Sequence, residues 1–382
     1  MDARVDGRGP AARVSGYMDR VSHTVRRVRP LADLTDQVAL ITGGSRGFGL
    51  LVARELAAAG CKLAICARDE AELAQAQAKL LERSGNAWHD VRGNTRRGMP
   101  QAREIEVLAV PCDVADREQI RLMVARVLEQ YGRIDILVNN AGTILVTPLE
   151  NTSRSDFESA MNTMFWGTYD VTMAVLPAMR ERGYGRIVNV TSIGGKIGIP
   201  HLLPYCSAKF AATGFSEGLR PSLAGKNITV TTIVPGLMRT GSVINVLVKG
   251  EKRREVQLFS ALASLPVISM DADRAARQAV AALRRGQAER ILGMPAKLAV
   301  RAQCLFPNLT ASLLGAVNRV LPGPVMDDGT EPTLSRDVPG AFDQPMLRRL
   351  TVFSRKAAER NNEMPANSRA GDAAKQSETW DI

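Results

Sequence analysis

Tyr205 and Lys209 stand four residues apart in Tyr205-Cys206-Ser207-Ala208-Lys209, and Ser192 lies thirteen residues before the tyrosine. Residues at i and i+4 share one face of a helix. An ammonium there can lie beside a phenol and favour its ionised form, drawing a pKa of about 10 toward a useful range. The chemistry this implies is proton donation by Tyr205. An isolated Tyr-x-x-x-Lys also occurs as a surface pair on an ordinary helix, so the elements that must position the pair decide its meaning.

The first of those elements lies near the N-terminus. Val38-Ala39-Leu40-Ile41 is a short apolar run, followed by Thr42-Gly43-Gly44-Ser45-Arg46-Gly47-Phe48-Gly49. Leu50, Leu51, Val52, Leu56 and Ala57 to Ala59 then give a helical stripe that stops at Gly60. Strand, glycine turn and helix in that order form a cradle for a pyrophosphate. Glycines allow close backbone approach, and the helix N-terminus offers free N–H groups and a positive dipole end. The spacing Gly-x-x-x-Gly-x-Gly departs from the Gly-x-Gly-x-x-Gly fingerprint, so that motif does not apply as written.

With these residues in view, the chain resembles the short-chain dehydrogenase/reductase family in its single-domain branch, over about Asp33 to Gly293. Further matches are Cys112-Asp113-Val114, Asn139-Asn140-Ala141-Gly142 after the Ile134 to Val138 run, and Asn162 within a helix. Ile187-Val188-Asn189-Val190-Thr191-Ser192 precedes Tyr205 and Lys209, and Pro235-Gly236 follows them. The fold class implied is α/β, a doubly wound parallel Rossmann-like sheet flanked by helices on both faces.

The resemblance also implies roles. Tyr205 passes a proton to or from the substrate oxygen, Ser192 hydrogen-bonds that oxygen, and Lys209 lowers the phenol's pKa and binds the nicotinamide ribose. Asn162 completes a water-linked proton path from Lys209 to solvent. The cofactor-binding set is Gly43, Ser45, Arg46, Gly47, Phe48, Gly49, Arg68, Asp113, Val114, Asn140, Ala141, Gly142, Tyr205, Lys209, Pro235, Gly236 and Thr240. Thr240 has two readings, a bond to the nicotinamide carboxamide or a cap on the next helix. For the choice of dinucleotide, Lys62 to Ala67 reads as the second strand and Arg68 follows it. Arg68 and Arg46 together suit a 2′-phosphate, which favours NADP(H) over NAD(H). Asp69 reads as the cap of the following helix rather than a ribose ligand.

Composition sets the bounds. The chain has 382 residues, 45% of them hydrophobic, enough for a full core. Five cysteines without Cys-x-x-Cys spacing read as reduced, which points to a cytoplasmic protein. Three histidines, none clustered with carboxylates, argue against a metal site. The net charge of +11 comes with no reader motif for nucleic acid.

The domain reading runs as follows: 1–33 a basic disordered arm with seven arginines before residue 30; 34–293 the catalytic domain, with a polar insertion at 84–103; 294–325 an amphipathic helical extension; and 326–382 a polar, largely disordered tail. Beyond Pro307, Leu309, Leu313, Val317 and Leu321 repeat every fourth residue, a stripe too short to span a bilayer. It can pack on the chain's own body, lie in a membrane interface or cover a neighbouring subunit. Residues 241–268 correspond to the substrate lid of relatives, and the resemblance implies a homo-oligomer. The reading is an NADP(H)-dependent oxidoreductase interconverting an apolar carbonyl and a secondary alcohol. The alternative is a catalytically idle dinucleotide-binding or sensing protein of the same fold.

Overall fold

The computed structural model describes residues 31–82, 105–265, 268–325, 331–343 and 356–364. The basic arm up to residue 30 and the polar insertion at 84–103 lie outside the described residues. Among the described residues the main sheet has seven parallel strands, numbered here in chain order. They are β1 (Val38–Thr42), β2 (Lys62–Ala67), β3 (Val107–Pro111), β4 (Ile136–Asn139), β5 (Gly185–Val190), β6 (Ile228–Pro235) and β7 (Glu289–Leu292). Their spatial order is β7-β6-β5-β4-β1-β2-β3. The chain therefore reverses direction of travel between β1 and β4, and ligands of such sheets bind at that switch point, beyond the carboxyl ends of the strands.

The strands are apolar on both faces because helices cover both. In β1, Ala39 and Ile41 join the core beneath α1 (Gly47–Ala58), α2 (Glu70–Glu82) and, further on, Ala272–Arg285. Val38 and Leu40 point the other way, toward α3 (Arg117–Tyr131). The two-residue period of a strand divides one run of sequence between two cores.

The remaining helices of eight residues or more are α4 (Arg154–Met161), α5 (Gly167–Arg182), α6 (Leu203–Ser222), α7 (Lys252–Ser264), α8 (Ala272–Arg285), α9 (Met294–Leu305) and α10 (Pro307–Asn318). Between α4 and α5 the chain makes a π-helical turn over Asn162–Trp166, with the Gly167 N–H donating to the Asn162 carbonyl five residues back. One extra residue in the turn changes which side chains face inward.

Two expectations are revised here. The C-terminal extension is a pair of helices, not one, because Pro307 has no N–H to continue α9 and Phe306 before it leaves the helical region at φ −135° and ψ 60°. No residue of α10 is buried, so it does not pack into the body of the chain. The second revision concerns the tail, parts of which return to the domain. Thr333–Leu334 pairs antiparallel with Leu247–Val248, and Ala357, Ala358, Asn361, Asn362 and Glu363 are buried. The polar composition that suggests disorder omits what these side chains bond to: Ser335 Oγ donates to the Val243 carbonyl at 2.6 Å, and Asn362 reaches Ser45 and Glu72.

Candidate active site

The glycine turn after β1 is built by close contacts that admit no side chain. Gly43 and Gly47 lie at φ +61° and +55°, the left-handed region that favours glycine. A Cβ on Gly49 would stand 2.1 Å from the Gly43 carbonyl oxygen and 2.5 Å from Asn140 Nδ2. Asn140 locks the turn to the end of β4, its Nδ2 donating to the Thr42 and Gly43 carbonyls at 3.1 and 3.0 Å. In return, Thr42 Oγ1 accepts from the Asn140 and Ala141 N–H groups at 3.0 and 3.1 Å. The helix α1 that follows has no side-chain cap from Arg46, the residue before it. Its first N–H groups and the glycine cradle fit the pyrophosphate of a dinucleotide.

The proton-transfer residues arrive from β5 and α6. Ser192, just past the end of β5, accepts from the Gly194 N–H at 3.0 Å. Lys209 Nζ donates to the Val190 carbonyl at 2.9 Å and lies 6.0 Å from the centre of the Tyr205 ring. The lowered phenol pKa expected from the sequence is not met. Burial pushes Tyr205 up to about 12 against a hydrogen bond with Ser192 that lowers it. Burial also pulls Lys209 down to about 8, because desolvation disfavours its cation.

A single cleft of about 500 Å³, within the usual range for small-ligand sites, gathers nearly the whole predicted set. It is lined by Gly43, Ser45, Arg46, Gly47, Phe48, Gly49, Arg68, Asp113, Val114, Asn140, Ala141, Gly142, Ser192, Tyr205, Lys209, Pro235, Gly236 and Thr240. Asn162 is the exception. It is exposed and does not line the cleft. The π-turn brings Met164 inward instead: a Cβ built on Gly142 would lie 3.4 Å from the Met164 sulfur and 3.7 Å from Lys209 Nζ. A thioether is a weak acceptor and carries no proton. The sequence holds no sign of the extra residue in that turn, so the shift was not readable from it.

At the adenosine end, Asp69 caps α2 as expected, accepting from the Glu72 N–H at 2.8 Å. Arg68 has 64% of its side chain exposed and reaches Asp113 at 4.0 Å. Arg46 pairs with Glu72 at 2.9 Å, and Glu72 also bonds Ser45. Thr240 makes local bonds, accepting from the Ser242 N–H at 3.2 Å and meeting the Ser242 hydroxyl at 2.9 Å, while still lining the cleft. The apolar end is formed by Ile144, Ile199 and Leu202, which sequence reading missed, and by Val246, Phe259 and Ala263, which fall within the 241–268 segment. Glu363 from the tail also lines the cleft. The apolar set comes from three loops and a helix far apart in the chain, with no shared spacing to reveal it.

Fold and cleft together define a dinucleotide-dependent oxidoreductase site. A family model described as short chain dehydrogenase matches residues 37–251, and the chain belongs to that family. It is an NAD(P)-dependent oxidoreductase of the carbonyl and alcohol class. Human dehydrogenase/reductase SDR family member 7 is 36% identical over 220 residues, 57% of this chain and 60% of the relative. The 3-oxoacyl-acyl-carrier-protein reductase of Synechocystis sp. is 31% identical over 213 residues, 56% of this chain and 78% of that protein. Among solved structures, a short-chain dehydrogenase from Streptomyces avermitilis matches with a TM-score of 0.58 and 28% identity, covering 74% of this chain and 98% of that one. L-sorbose reductase from Gluconobacter frateurii, complexed with NADPH and L-sorbose, gives a TM-score of 0.58 at 25% identity, covering 69% and 98%.

The cradle makes a direct prediction. Gly49→Ala should weaken dinucleotide binding, read by quenching of protein fluorescence, by roughly tenfold or more, since about 1.4 kcal/mol of lost contact is enough. The control is Gly218→Ala, at an exposed helical position with nothing within 4 Å. It should leave binding alone and raise the unfolding free energy by up to about 1 kcal/mol. Equal effects of the two changes would contradict the steric account.

Proposed function

We propose that the protein is an NADP(H)-dependent reductase of apolar carbonyl compounds, with Tyr205 as proton donor. The observation that carries this is the meeting of Ser192, Tyr205 and Lys209 in one cleft that continues into an apolar wall. When bound, the nicotinamide supplies or takes up the hydride. The rest is done by the chain. Ser192 and Tyr205 hold the substrate oxygen between two hydroxyls, and Tyr205, kept protonated by its burial, gives that oxygen its proton as negative charge develops there. Lys209 holds the ribose hydroxyls and offers its charge from below. No proton path through Asn162 enters this scheme.

Arg46 and Arg68 support the choice of NADP(H), because two guanidinium groups line the adenosine end with Asp69 engaged as a helix cap. Ile144, Leu202, Val246 and Phe259 support an apolar substrate. The reductase names of several relatives make 3-oxoacyl compounds the first substrates to try.

A peripheral membrane contact through α9 and α10 belongs to the same reading. Leu305, Phe306, Leu309, Leu313 and Val320 are 58–81% exposed. From Gly293 to Val325 the charged residues are Lys297, Arg301 and Arg319, all basic. An apolar face with cationic flanks suits an anionic lipid surface. No helix among the described residues is long and apolar enough to cross a membrane.

Four outcomes are expected. Tyr205→Phe should lower NADPH-linked turnover by about 10²- to 10⁴-fold while leaving the dinucleotide dissociation constant nearly unchanged. In the parent chain, loss of activity at alkaline pH should follow Lys209, whose cation is lost as pH rises through about 8, and not the phenol at about 12. Retained turnover in Tyr205→Phe would defeat the mechanism. Arg68→Asp should shift preference from NADPH toward NADH by roughly tenfold or more, and an unchanged ratio of kcat/KM values would refute the cofactor assignment. Flotation with phosphatidylserine vesicles should recover the full chain, and Leu309→Asp with Leu313→Asp should abolish recovery. Equal flotation of parent and variant would dispose of the membrane contact.

A further inference from the structure

The tail segment 356–364 sits in the cradle that the dinucleotide pyrophosphate needs. The Gly47 N–H, at the start of α1, donates to the Asn361 carbonyl at 2.9 Å. The Glu363 carboxyl lies across the turn: its Oε1 is 2.9 Å from where a Gly47 Cβ would stand, and its Oε2 accepts from the Gly241 N–H at 2.5 Å. Asn362 fastens the segment, its Nδ2 donating to the Ser45 and Glu72 carbonyls at 3.1 and 3.0 Å. Lys79 Nζ completes the fastening by donating to Asn362 Oδ1 at 3.0 Å. On the far side, Asn245 Nδ2 donates to the Glu363 carbonyl at 3.0 Å, and Ala358 packs against Gly241.

We propose that residues 356–364 form an autoinhibitory plug that competes with the dinucleotide for the glycine cradle. The inference rests on the dinucleotide reading of the cleft. The physical reason is shared demand. A helix N-terminus stabilises one anionic or carbonyl oxygen set at a time; here the Asn361 carbonyl already uses the Gly47 N–H, and the Glu363 carboxyl fills the space over Gly47 while bonded to the Gly241 N–H from the opposite side of the cleft.

The contact is built, not grazing. Asn361, Asn362 and Glu363 are 2%, 1% and 5% exposed. Asn362 adopts φ +60°, a left-handed conformation that asparagine tolerates better than most residues. Burial pushes the Glu363 carboxyl up to about 8, only partly offset by the Gly241 N–H and the Arg46 guanidinium. So costly a group has its use in what it touches. What it touches is the pyrophosphate cradle, so the dinucleotide has to displace the segment before it can bind.

Removing the plug should therefore tighten binding. If the plugged form holds about nine-tenths of the molecules, the apparent dissociation constant for NADPH falls about tenfold when the plug is lost. The titration compares the full chain, Asn362→Ala with Glu363→Ala in the full chain, and a chain ending at residue 355, read by fluorescence quenching without substrate. In parallel, hydrogen exchange on the full chain should show 356–364 exchanging faster, and 43–49 slower, when NADPH is added. An unchanged or weaker affinity in both variants overturns the plug, as does a segment that stays protected with NADPH bound. If neither whole nor truncated chain binds NADPH or NADH, the dinucleotide reading itself fails and the plug with it. Tighter binding in the variants with faster exchange at 356–364 supports both.

Discussion

The site depends on one junction, the lock between the carboxyl ends of β1 and β4. These strands are neighbours in the sheet though nearly a hundred residues separate them in the chain. Asn140 reaches back to two carbonyls of the glycine turn, and Thr42 accepts two N–H groups from the loop beyond β4. Four hydrogen bonds thus hold open the crevice that strand order creates at the switch point. Gly49 has no space for a side chain because the turn is drawn so close to Asn140. Everything else in the cleft is arranged around a backbone fixed in this way.

Burial then sets the electrostatics. Tyr205 and Lys209 share a helix face, yet the phenol is pushed up and the ammonium pulled down, each by desolvation. At neutral pH the phenol keeps its proton, the state a carbonyl reduction requires of its acid. Lys209 spends one donor on Val190, which fixes its position at the end of β5. The buried chain formed by Asn139, Asn189, Ser216 and Thr232 lies beneath, linking β4, β5, α6 and β6 through side-chain hydrogen bonds. These side-chain hydrogen bonds stiffen the platform from which Tyr205 and Lys209 project, although Asn139 Oδ1 has no partner within it.

The C-terminal region adds to a common scaffold in two different ways. α9 and α10 present an apolar face with only basic charges, directed away from the core. Residues 331–343 and 356–364 turn inward, one pairing with Leu247–Val248 and the other reaching Gly47 and Gly241. Both arise from sequence beyond the 37–251 range that matches the family model. Ser192, Tyr205 and Lys209 lie within the shared part of the chain, and these two C-terminal features lie outside it.

The sequence by itself determined the local devices. Strand, glycine turn and helix were readable at 38–60, as were the Tyr205–Lys209 pair and the cap at Asp69, because turns, caps and helix periods are set by neighbours in the chain. The strand–helix alternation was enough to imply the doubly wound sheet, whose handed connections leave few alternatives. Only the tertiary structure decided the rest. The π-helical turn at 162–166 leaves Asn162 exposed, while Met164 lies near Gly142 and Lys209. Burial, a property of everything packed around a group, reversed the direction expected for the Tyr205 pKa. Glu363 entered the cradle from a polar tail that carries no motif. The tail's partners, the Gly47 N–H for the Asn361 carbonyl and the Gly241 N–H for the Glu363 carboxyl, are backbone groups, which every residue except proline possesses. Such contacts are specified by shape and position in three dimensions and leave no pattern of side chains to read.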